Sequence, residues 1–265
     1  SVLRALRAAL PRHDFVYLGD SGRAPYGGRD VHTILDFAEQ AVERLFEEDC
    51  RVIVVACHTV SSVALRHLQR RCAPDRRILG VTIPAAEQAV ALSEGRIGLV
   101  ATHRTVASGV LAMEVAKLGP HFVEQRAAPL LAGIVEEGWE DTDLAREAVR
   151  RYTEGMDVDT VVLGCTHYPF LTDAFRRALP GVRVLDPGPY VAERLVDWLA
   201  RHPELAPPEG SGALRLLCTG NPVGFATHGS RFLGEHVDVV ETIREVDGRL
   251  AHRAPELDPV GQVVR

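Results

Sequence analysis

Two stretches with a similar sequence pattern are the strongest indication of the fold. Residues 161–169 have the sequence VVLGCTHYP, and residues 54–62 have the sequence VVACHTVSS. In each, a short apolar run typical of a buried strand ends near a cysteine, Cys165 or Cys57, and polar residues and a helical pattern follow. Buried strands of this kind belong to parallel sheets that helices cover on both faces. The two stretches predict an α/β protein with one strand-end cysteine in each of two domains.

The same alternation of strand and helix continues outward from these stretches. Apolar, β-branched runs predict strands, and apolar residues spaced three and four apart predict helices. Predicted strands cover residues 15–18, 52–56, 96–101, 160–163 and 214–218. Predicted helices cover residues 35–46, 64–71, 110–118, 144–152, 173–179 and 190–200. This order implies βαβ units, and therefore doubly wound parallel sheets.

The length and the proline positions predict how the domains are arranged. A chain of 265 residues suggests two domains, at roughly 150 residues each. Proline-containing segments at 82–86 and 186–189 are predicted to cross between them. The first domain would then comprise residues 1–82 and 187–265, and the second would comprise residues 83–186. Two crossovers place a cleft, and with it the candidate site, at the junction.

The two ends of the chain do not fit a regular α/β order. Val2, Leu3, Leu6 and Leu10 form a helical face at the start, and no strand precedes them. Because a doubly wound domain normally leads such a helix with a strand, we expect an early strand to be missing. The tail after Val246 is polar and contains proline, so we expect a surface extension rather than a part of the core.

Composition excludes several classes of function. The 30 Lys and Arg against 36 Asp and Glu give a net charge of −6, which argues against nucleic-acid binding. The longest clean apolar run, at residues 52–57, is too short to cross a membrane. Five cysteines without a C-x-x-C pair predict neither a disulfide scaffold nor a structural zinc site, and they fit the reducing cytoplasm. The only lysine, Lys117, is predicted on a solvated helix face, which excludes pyridoxal chemistry.

The surroundings of Cys57 and Cys165 favour chemistry over packing. In open α/β sheets, ligands bind at the carboxyl ends of the strands. A following helix offers free N–H groups to a carboxylate and lowers the pKa of a nearby thiol toward neutrality. Thr59, Ser61 and Thr166 are candidates to cap these helices or to donate to the same anion. A lone strand-end cysteine is often a small buried hydrophobe, but the repeat favours a functional pair. Cys50, Cys72 and Cys218 lack this context and are interpreted as structural.

Two thiols that face each other across a cleft suit one class of reaction. An acid–base pair on opposite faces of a carbon removes a proton on one side and returns one on the other. This inverts a stereocentre without a cofactor, provided that preorganised donors stabilise the carbanion. His167 is a candidate to tune Cys165, with a structural histidine as the alternative. Glu136 and Glu137 have the pattern of a solvated helix end, and the Gly- and Pro-rich loop 19–28 either lines the site or merely connects elements.

The motifs resemble those of the glutamate racemases, cofactor-independent enzymes that supply D-glutamate for bacterial peptidoglycan. Residues 163–171, LGCTHYPFL, are similar to the second cysteine motif of that family, and residues 56–59, ACHT, to the first. Residues 19–21 and 25–27, GDS and PYG, resemble its substrate-contacting loop. The pattern through Phe225, Phe232, Leu233 and Gly234 is also similar, so the resemblance covers most of residues 1–242.

The resemblance implies a fold and a set of site residues. The fold would be two pseudo-symmetric doubly wound α/β domains, with the active site in the cleft between them. Cys57 and Cys165 would be the catalytic bases, and His167 and Glu136 would assist near Cys165. Substrate contacts would come from Pro25, Tyr26, Gly27, His58, Thr59 and Thr166. The resemblance further implies glutamate as the partner, no metal or cofactor, and a cytoplasmic location. The oligomeric state stays open, with a homodimer as one option.

The chain departs from the family pattern at two places. The family has an early Asp-Ser-Gly turn at its active site, and Asp20-Ser21-Gly22 is not a substitute, because it belongs to the later Pro-Tyr-Gly segment. The family also has asparagine where this chain has His58. An imidazole cannot reproduce the paired donor and acceptor of an amide, so recognition of the substrate amino group or the pKa of Cys57 is affected.

Other functions remain open on the sequence. A related racemase could act on aspartate or another amino acid, since pocket shape sets the substrate. Maleate isomerases and hydantoin racemases share paired cysteines, although the Cys165 motif favours glutamate. A non-catalytic binding descendant would tolerate loss of either thiol. A cysteine hydrolase would need only one thiol with a histidine, which leaves the second motif unexplained.

Overall fold

The structure is a computed structural model that describes residues 1–251. Strands and helices alternate along the chain. The strands are β1 (Phe15–Gly19), β2 (Val52–Val55), β3 (Arg77–Gly80), β4 (Arg96–Ala101), β5 (Phe122–Ala127), β6 (Thr160–Gly164), β7 (Arg183–Leu185), β8 (Leu214–Cys218), β9 (Glu241–Thr242), β10 (Glu245–Val246) and β11 (Arg249–Leu250). The helices are α1 (Val2–Ala9), α2 (Val31–Glu47), α3 (His58–Val63), α4 (Leu65–Arg71), α5 (Thr82–Leu92), α6 (His103–Ser108), α7 (Val110–Leu118), α8 (Leu130–Glu136), α9 (Asp143–Thr153), α10 (Thr172–Ala178), α11 (Gly188–Arg201) and α12 (Pro222–Leu233), with a 3₁₀ turn at Tyr168–Leu171.

A four-stranded parallel sheet in the order β5-β4-β6-β7 organises the middle of the chain. Its side chains alternate between two cores. Leu99 and Val162 pack with α5 and α7 on one face, whereas Val100 and Leu163 pack with α8, α9 and α10 on the other. Because both faces are covered, the central strands are apolar throughout, as predicted for a doubly wound sheet. We call this sheet with its helices the second unit.

The remaining parallel strands form the first unit, which differs from the single sheet expected. Within residues 1–251, β1 pairs with β8 and β8 with β9, whereas β2 pairs only with β3. Helices still cover both faces of the β2-β3 pair: Ile53 packs with α2, α3 and α4, and Val54 packs with α1 and α11. Each residue of β1 is only half-buried, whereas β6 is buried along its whole length.

The predicted strands and helices are confirmed, and several short elements were missed. β3 and β7 have only four and three residues. β5 has the sequence FVEQRA and forms the edge of its sheet. Because an edge strand carries polar residues, it lacks the continuous apolar run by which the other strands were predicted. The segment 82–86, predicted as a crossover, is the first half of α5, where Pro84 needs no helical donor because it lies in the first turn.

Of the surface extension expected after Val246, Asp247, Gly248 and Arg249 are exposed, whereas Leu250 is buried. β10 and β11 form an antiparallel hairpin whose turn, Asp247-Gly248, has both residues at positive φ, as a type I′ turn requires. Leu250 is buried beside Leu217, and its N–H donates to Gln40 Oε1 at 2.9 Å. The rest of that prediction, residues 252–265, lies outside the described residues.

None of the helices in residues 1–251 combines the length and the apolar character that a bilayer span requires.

The turn that carries Cys165 is held by close packing. A Cβ on Gly164 would lie 2.6 Å from Leu99 Cδ1 and 2.8 Å from Ala101 Cβ, so only glycine lets the end of β6 lie against β4. Tyr168 is fully buried, and its hydroxyl donates to the carbonyl of Ala128 at 2.7 Å. This bond ties the turn after β6 to the end of β5.

We expect Tyr168→Phe to lower the free energy of unfolding by about 1 kcal/mol, because it removes a buried hydrogen bond and leaves the Ala128 carbonyl with only the N–H of Leu131, at 3.2 Å. Urea titration of the full chain measures this loss. Tyr190→Phe, at a half-buried position on α11, is the control and should change stability by less than about 0.5 kcal/mol. Equal effects of the two substitutions would contradict the role given to the Tyr168 hydroxyl.

Candidate active site

Both strand-end cysteines lie where the sequence placed them. Cys165 directly follows β6, and Cys57 lies two residues beyond β2, where it precedes α3. In the second unit the chain order reverses between β4 and β6, which are neighbours flanked by β5 and β7. Thr102 follows β4, so Thr102 and Cys165 flank this switch point, the position at which open α/β sheets bind ligands.

Cys165 is the first member of a chain of three polar groups. His167 Nδ1 lies 3.7 Å from Cys165 Sγ, and His167 Nε2 lies 3.2 Å from Glu136 Oε1. The hydroxyl of Thr166 lies 3.5 Å from the same Nδ1 atom. Glu136 is the last residue of α8, and its pattern in the sequence was that of a solvated helix end. The structure instead brings it to His167, because α8 ends beside the turn that follows β6.

This chain of contacts sets the charge of the imidazole. Burial by itself disfavours the charged form of His167, but hydrogen bonds to Cys165 and Glu136 and their negative charges outweigh it, and they raise its pKa to about 9. The hydrogen bond to His167 in turn lowers the pKa of Glu136. His167 is therefore a cation at neutral pH, and its Nδ1 lies 3.7 Å from the Cys165 sulfur.

Cys57 has the opposite environment. Burial raises the pKa of its thiol, and the nearby Cys165 raises it further. Hydrogen bonds from the backbone N–H groups of Val60 and Thr59 lower the pKa, but by less than burial raises it. The expectation that the following helix would lower the pKa of this thiol is thus wrong. Two N–H groups of a six-residue helix do not offset the loss of hydration. Cys57 is a thiol at neutral pH, within electrostatic range of Cys165.

Three threonine hydroxyls join the two units beside Cys57. Thr59 Oγ1 lies 2.9 Å from Thr102 Oγ1 and 3.2 Å from Thr105 Oγ1, and the last two are 3.0 Å apart. Thr59 belongs to the first unit, and Thr102 and Thr105 to the second. The sequence analysis missed these two, although residues 96–108 show the same order of strand, polar residue and helix as the cysteine motifs.

The predicted helix caps are not formed. Cys57 and His167 occupy the cap positions of α3 and the 3₁₀ turn, and neither makes a capping bond with its side chain. Ser61 donates to the carbonyl of Val55 at 2.8 Å, which leaves its hydroxyl oriented into the first unit.

The loop at 19–28 is held in a defined conformation. Tyr26 donates its hydroxyl to Asp20, which also accepts hydrogen bonds from Arg23 at 2.8 Å and from Thr219 Oγ1 at 2.6 Å. Burial and the hydrogen bond to Asp20 raise the pKa of Tyr26. Tyr26 is therefore a neutral phenol, and it lies near the first thiol.

Gly27 brings this loop against the second unit. A Cβ on Gly27 would lie 2.7 Å from Thr102 Cβ, and the N–H of Arg104 donates to the Gly27 carbonyl at 3.0 Å. Pro25 is exposed on the outer side of the loop. Of the predicted substrate contacts in this loop, Gly27 directly touches the end of β4, Tyr26 lies near Cys57, and Pro25 is the most peripheral.

His58 is buried without partners. Its exposed fraction is 5%, and neither ring nitrogen has a hydrogen-bond partner in the structure. Burial lowers its pKa to about 4, so the imidazole is neutral at physiological pH. Buried polar atoms are normally hydrogen-bonded, which makes His58 the least satisfied polar side chain of the site. Within residues 1–251, no three His, Cys, Asp or Glu side chains are grouped to hold a metal ion.

Comparison with known proteins identifies the family of the chain. The model of the Asp/Glu/Hydantoin racemase family matches residues 1–195. The chain belongs to this family. It is therefore an enzyme of the racemase class, an isomerase.

Individual relatives show the same similarity over nearly the whole chain. Glutamate racemase from Thermus thermophilus is 37% identical over 92% of this chain and 91% of its own. Its crystal structure with beta-chloro-D-alanine superposes with a TM-score of 0.83 over 92% of this chain and 91% of that one. Glutamate racemase from Francisella tularensis in complex with D-glutamate is 26% identical, with a TM-score of 0.84 over 91% of this chain and 92% of that one. The fold is accordingly that of two α/β domains.

The lowered pKa of His58 predicts a pH dependence of stability. An unfolded histidine takes up its proton near pH 6.5, whereas folded His58 does so only near pH 4. Its contribution is therefore complete above pH 6.5 and is lost as the pH falls toward 4. The loss proceeds at about 1.4 kcal/mol per pH unit. His58→Asn should remove this slope from the free energy of unfolding, measured by urea titration.

The control for this measurement is His32→Asn, at an exposed position on α2. It should leave the slope between pH 6.5 and 4 as in the wild type. An unchanged slope in His58→Asn would mean that His58 takes up its proton at the same pH in the folded and the unfolded protein, which contradicts the effect of burial.

Proposed function

We propose that the protein interconverts L-glutamate and D-glutamate by proton transfer at the α-carbon, without a cofactor. The observation that carries the proposal is the pair of thiols. Cys57 follows a strand of the first unit, Cys165 follows a strand of the second, and each lies in the electrostatic field of the other. The names of the relatives support glutamate as the substrate, and one of them is solved with D-glutamate.

The two environments suggest which thiol starts with the proton. Cys57 is a thiol at neutral pH because burial raises its pKa. His167 is a cation whose Nδ1 lies 3.7 Å from Cys165 Sγ, and we assign Cys165 the role of the base that starts without the proton. In one direction the Cys165 thiolate takes the α-proton, so that the C–H bond breaks and an S–H bond forms. Cys57 then gives its own proton to the opposite face of the carbanion, and the configuration is inverted.

The reverse direction begins from the other form of the pair. After one turnover Cys165 holds the proton and Cys57 is the thiolate, which is ready for the opposite enantiomer. Exchange with water returns the pair to its first form. Because the two thiols interact, their protons belong to the pair as a whole, and the active enzyme carries one proton between them.

The remaining predicted residues are proposed to bind the substrate. Backbone and hydroxyl donors of Gly27, Thr59 and Thr166 lie close to the two cysteines and suit a carboxylate or the developing carbanion. Tyr26 and Pro25 would complete the loop side. His58 would contact the substrate with a ring nitrogen that has no protein partner.

We further propose the domain division at residues 1–82 with 187–265, and 83–186. It is supported by the sheets, since β4 to β7 pair only among themselves. The five free cysteines support a cytoplasmic location, where thiols stay reduced. In that compartment the D-glutamate product would serve peptidoglycan synthesis.

The test is to follow both directions of racemisation with purified protein and no added cofactor, by optical rotation. We expect Cys57→Ser and Cys165→Ser each to reduce kcat by about 10²–10⁴-fold, because each removes an acid–base group. Cys72→Ser, at the end of α4, is the matched control and should retain wild-type activity.

The outcomes separate the alternatives. Retained activity in either active-site variant would contradict the two-thiol mechanism, and a single essential cysteine would favour a hydrolase. Racemisation of aspartate at a higher kcat/KM than glutamate would replace the substrate but keep the mechanism.

A further inference from the structure

We infer that Arg231 and Phe232 of α12 are positioning residues that hold the Glu136–His167 pair in place behind Cys165. This inference rests on the proposed function, since it assigns a task to residues near one of the two thiols. α12 follows β8 and so belongs to the first unit, whereas Glu136 and His167 belong to the second. The contact therefore links one unit to the acid–base machinery of the other.

Arg231 holds the end of α8. Its guanidinium donates to the carbonyl of Val135 and, at 3.4 Å, to that of Glu136. Both carbonyls belong to the last helical turn, and that of Val135 also accepts from the N–H of Gly138 at 3.1 Å. A cation at this end of a helix also interacts favourably with the helix dipole. Arg231 thus fixes the backbone from which the Glu136 side chain projects.

The turn after α8 is shaped to receive this guanidinium. Gly138 has a φ of +76°, and the N–H of Trp139 returns to the carbonyl of Ile134 at 3.0 Å, which closes the helix in a Schellman motif. A Cβ on Gly138 would lie only 2.4 Å from Arg231 Nη1. Glycine at this position both permits the left-handed turn and leaves space for the arginine.

Phe232 holds the imidazole. Its ring lies edge-on to His167, with centroids 5.9 Å apart and an interplanar angle of 88°, and it packs on Phe170 at 4.7 Å. Arg231 lies 4.8 Å from the centroid of the same ring. Of these two consecutive residues of α12, Arg231 therefore contacts the backbone of Glu136, and Phe232 contacts the ring of His167.

The Glu136 side chain needs such support. Its exposed fraction is 56%, and it projects from the end of a seven-residue helix. An ion pair that is this exposed is weak unless its geometry is fixed from outside. The titratable groups that face Glu136 are His167 and His228, and those that face His167 are Cys165 and Glu136. Arg231 bonds the backbone of Glu136 rather than its carboxylate, so its effect on His167 passes through the position of Glu136. Its Nε also lies 3.7 Å from Glu140 Oε1, on the turn that follows α8.

The test is a double-mutant cycle of Arg231→Met and Glu136→Gln in the full chain. The readouts are the pKa of the His167 imidazole by NMR and the steady-state kcat and KM for glutamate. Arg231→Met should lower the pKa of His167 by roughly half a unit or more and kcat by roughly five-fold, with KM little changed. In the Glu136→Gln background the same substitution should change kcat by less than about 1.5-fold.

Two further variants serve as controls. Arg231→Lys keeps the cation without the planar fork, so it should restore part of the pKa and part of kcat. Arg176→Met, at an exposed position on α10 away from α12, should leave both readouts at wild-type values.

Each outcome has a distinct meaning. A folded Arg231→Met protein with an unchanged His167 pKa, or effects of the two substitutions that simply multiply, would overturn the inference. A wild-type protein that does not racemise glutamate, but in which Arg231→Met still shifts the His167 pKa, would overturn the proposed function and leave the positioning role intact.

Discussion

The parallel pairing of β4 with β6 is the constraint on which the site depends. It places Thr102 and Cys165 side by side at the edge where the chain order of the sheet reverses. The pairing is tight at this edge, because Gly164 lies against Leu99 and Ala101 with no room for a side chain. From this edge the threonine hydroxyls reach Thr59, which directly follows Cys57 and His58. One sheet edge therefore brings the elements of both units to one place.

Burial and hydrogen bonding then make two chemically identical side chains different. At Cys57 the loss of hydration prevails, and the group holds its proton. At Cys165 the neighbouring His167 is charged, because Glu136 and the sulfur itself stabilise its proton. A reaction that removes a proton from one face and supplies one to the other needs such an unequal pair. The different surroundings of Cys57 and Cys165 suit the two roles that we propose for them.

Local signals in the sequence were sufficient for five of the strands, six of the helices and the positions of the two strand-end cysteines. β4 and β8 agree with their predicted bounds, because apolar runs between charged residues are visible in any short window. Features that depend on distant contacts were not predictable in this way. Glu136 has the pattern of a solvated helix end, and only the packing of α8 beside the turn after β6 brings it to His167. The roles of Arg231 and Phe232 likewise could not be predicted from the sequence, because they depend on the packing of α12 against the second unit. The Asp247-Gly248 hairpin did carry a local signal, which the polar composition of the tail concealed.

The central claim is that two bases act on opposite faces of the α-carbon. The most direct measurement is the position of deuterium early in the reaction of unlabelled L-glutamate in D₂O, by proton NMR after separation of the enantiomers. The account predicts that the first D-glutamate formed carries deuterium at the α-carbon while the remaining L-glutamate keeps its proton, since each face exchanges with its own thiol. Deuterium that enters both enantiomers equally from the start would show a single base serving both faces, and it would contradict the account.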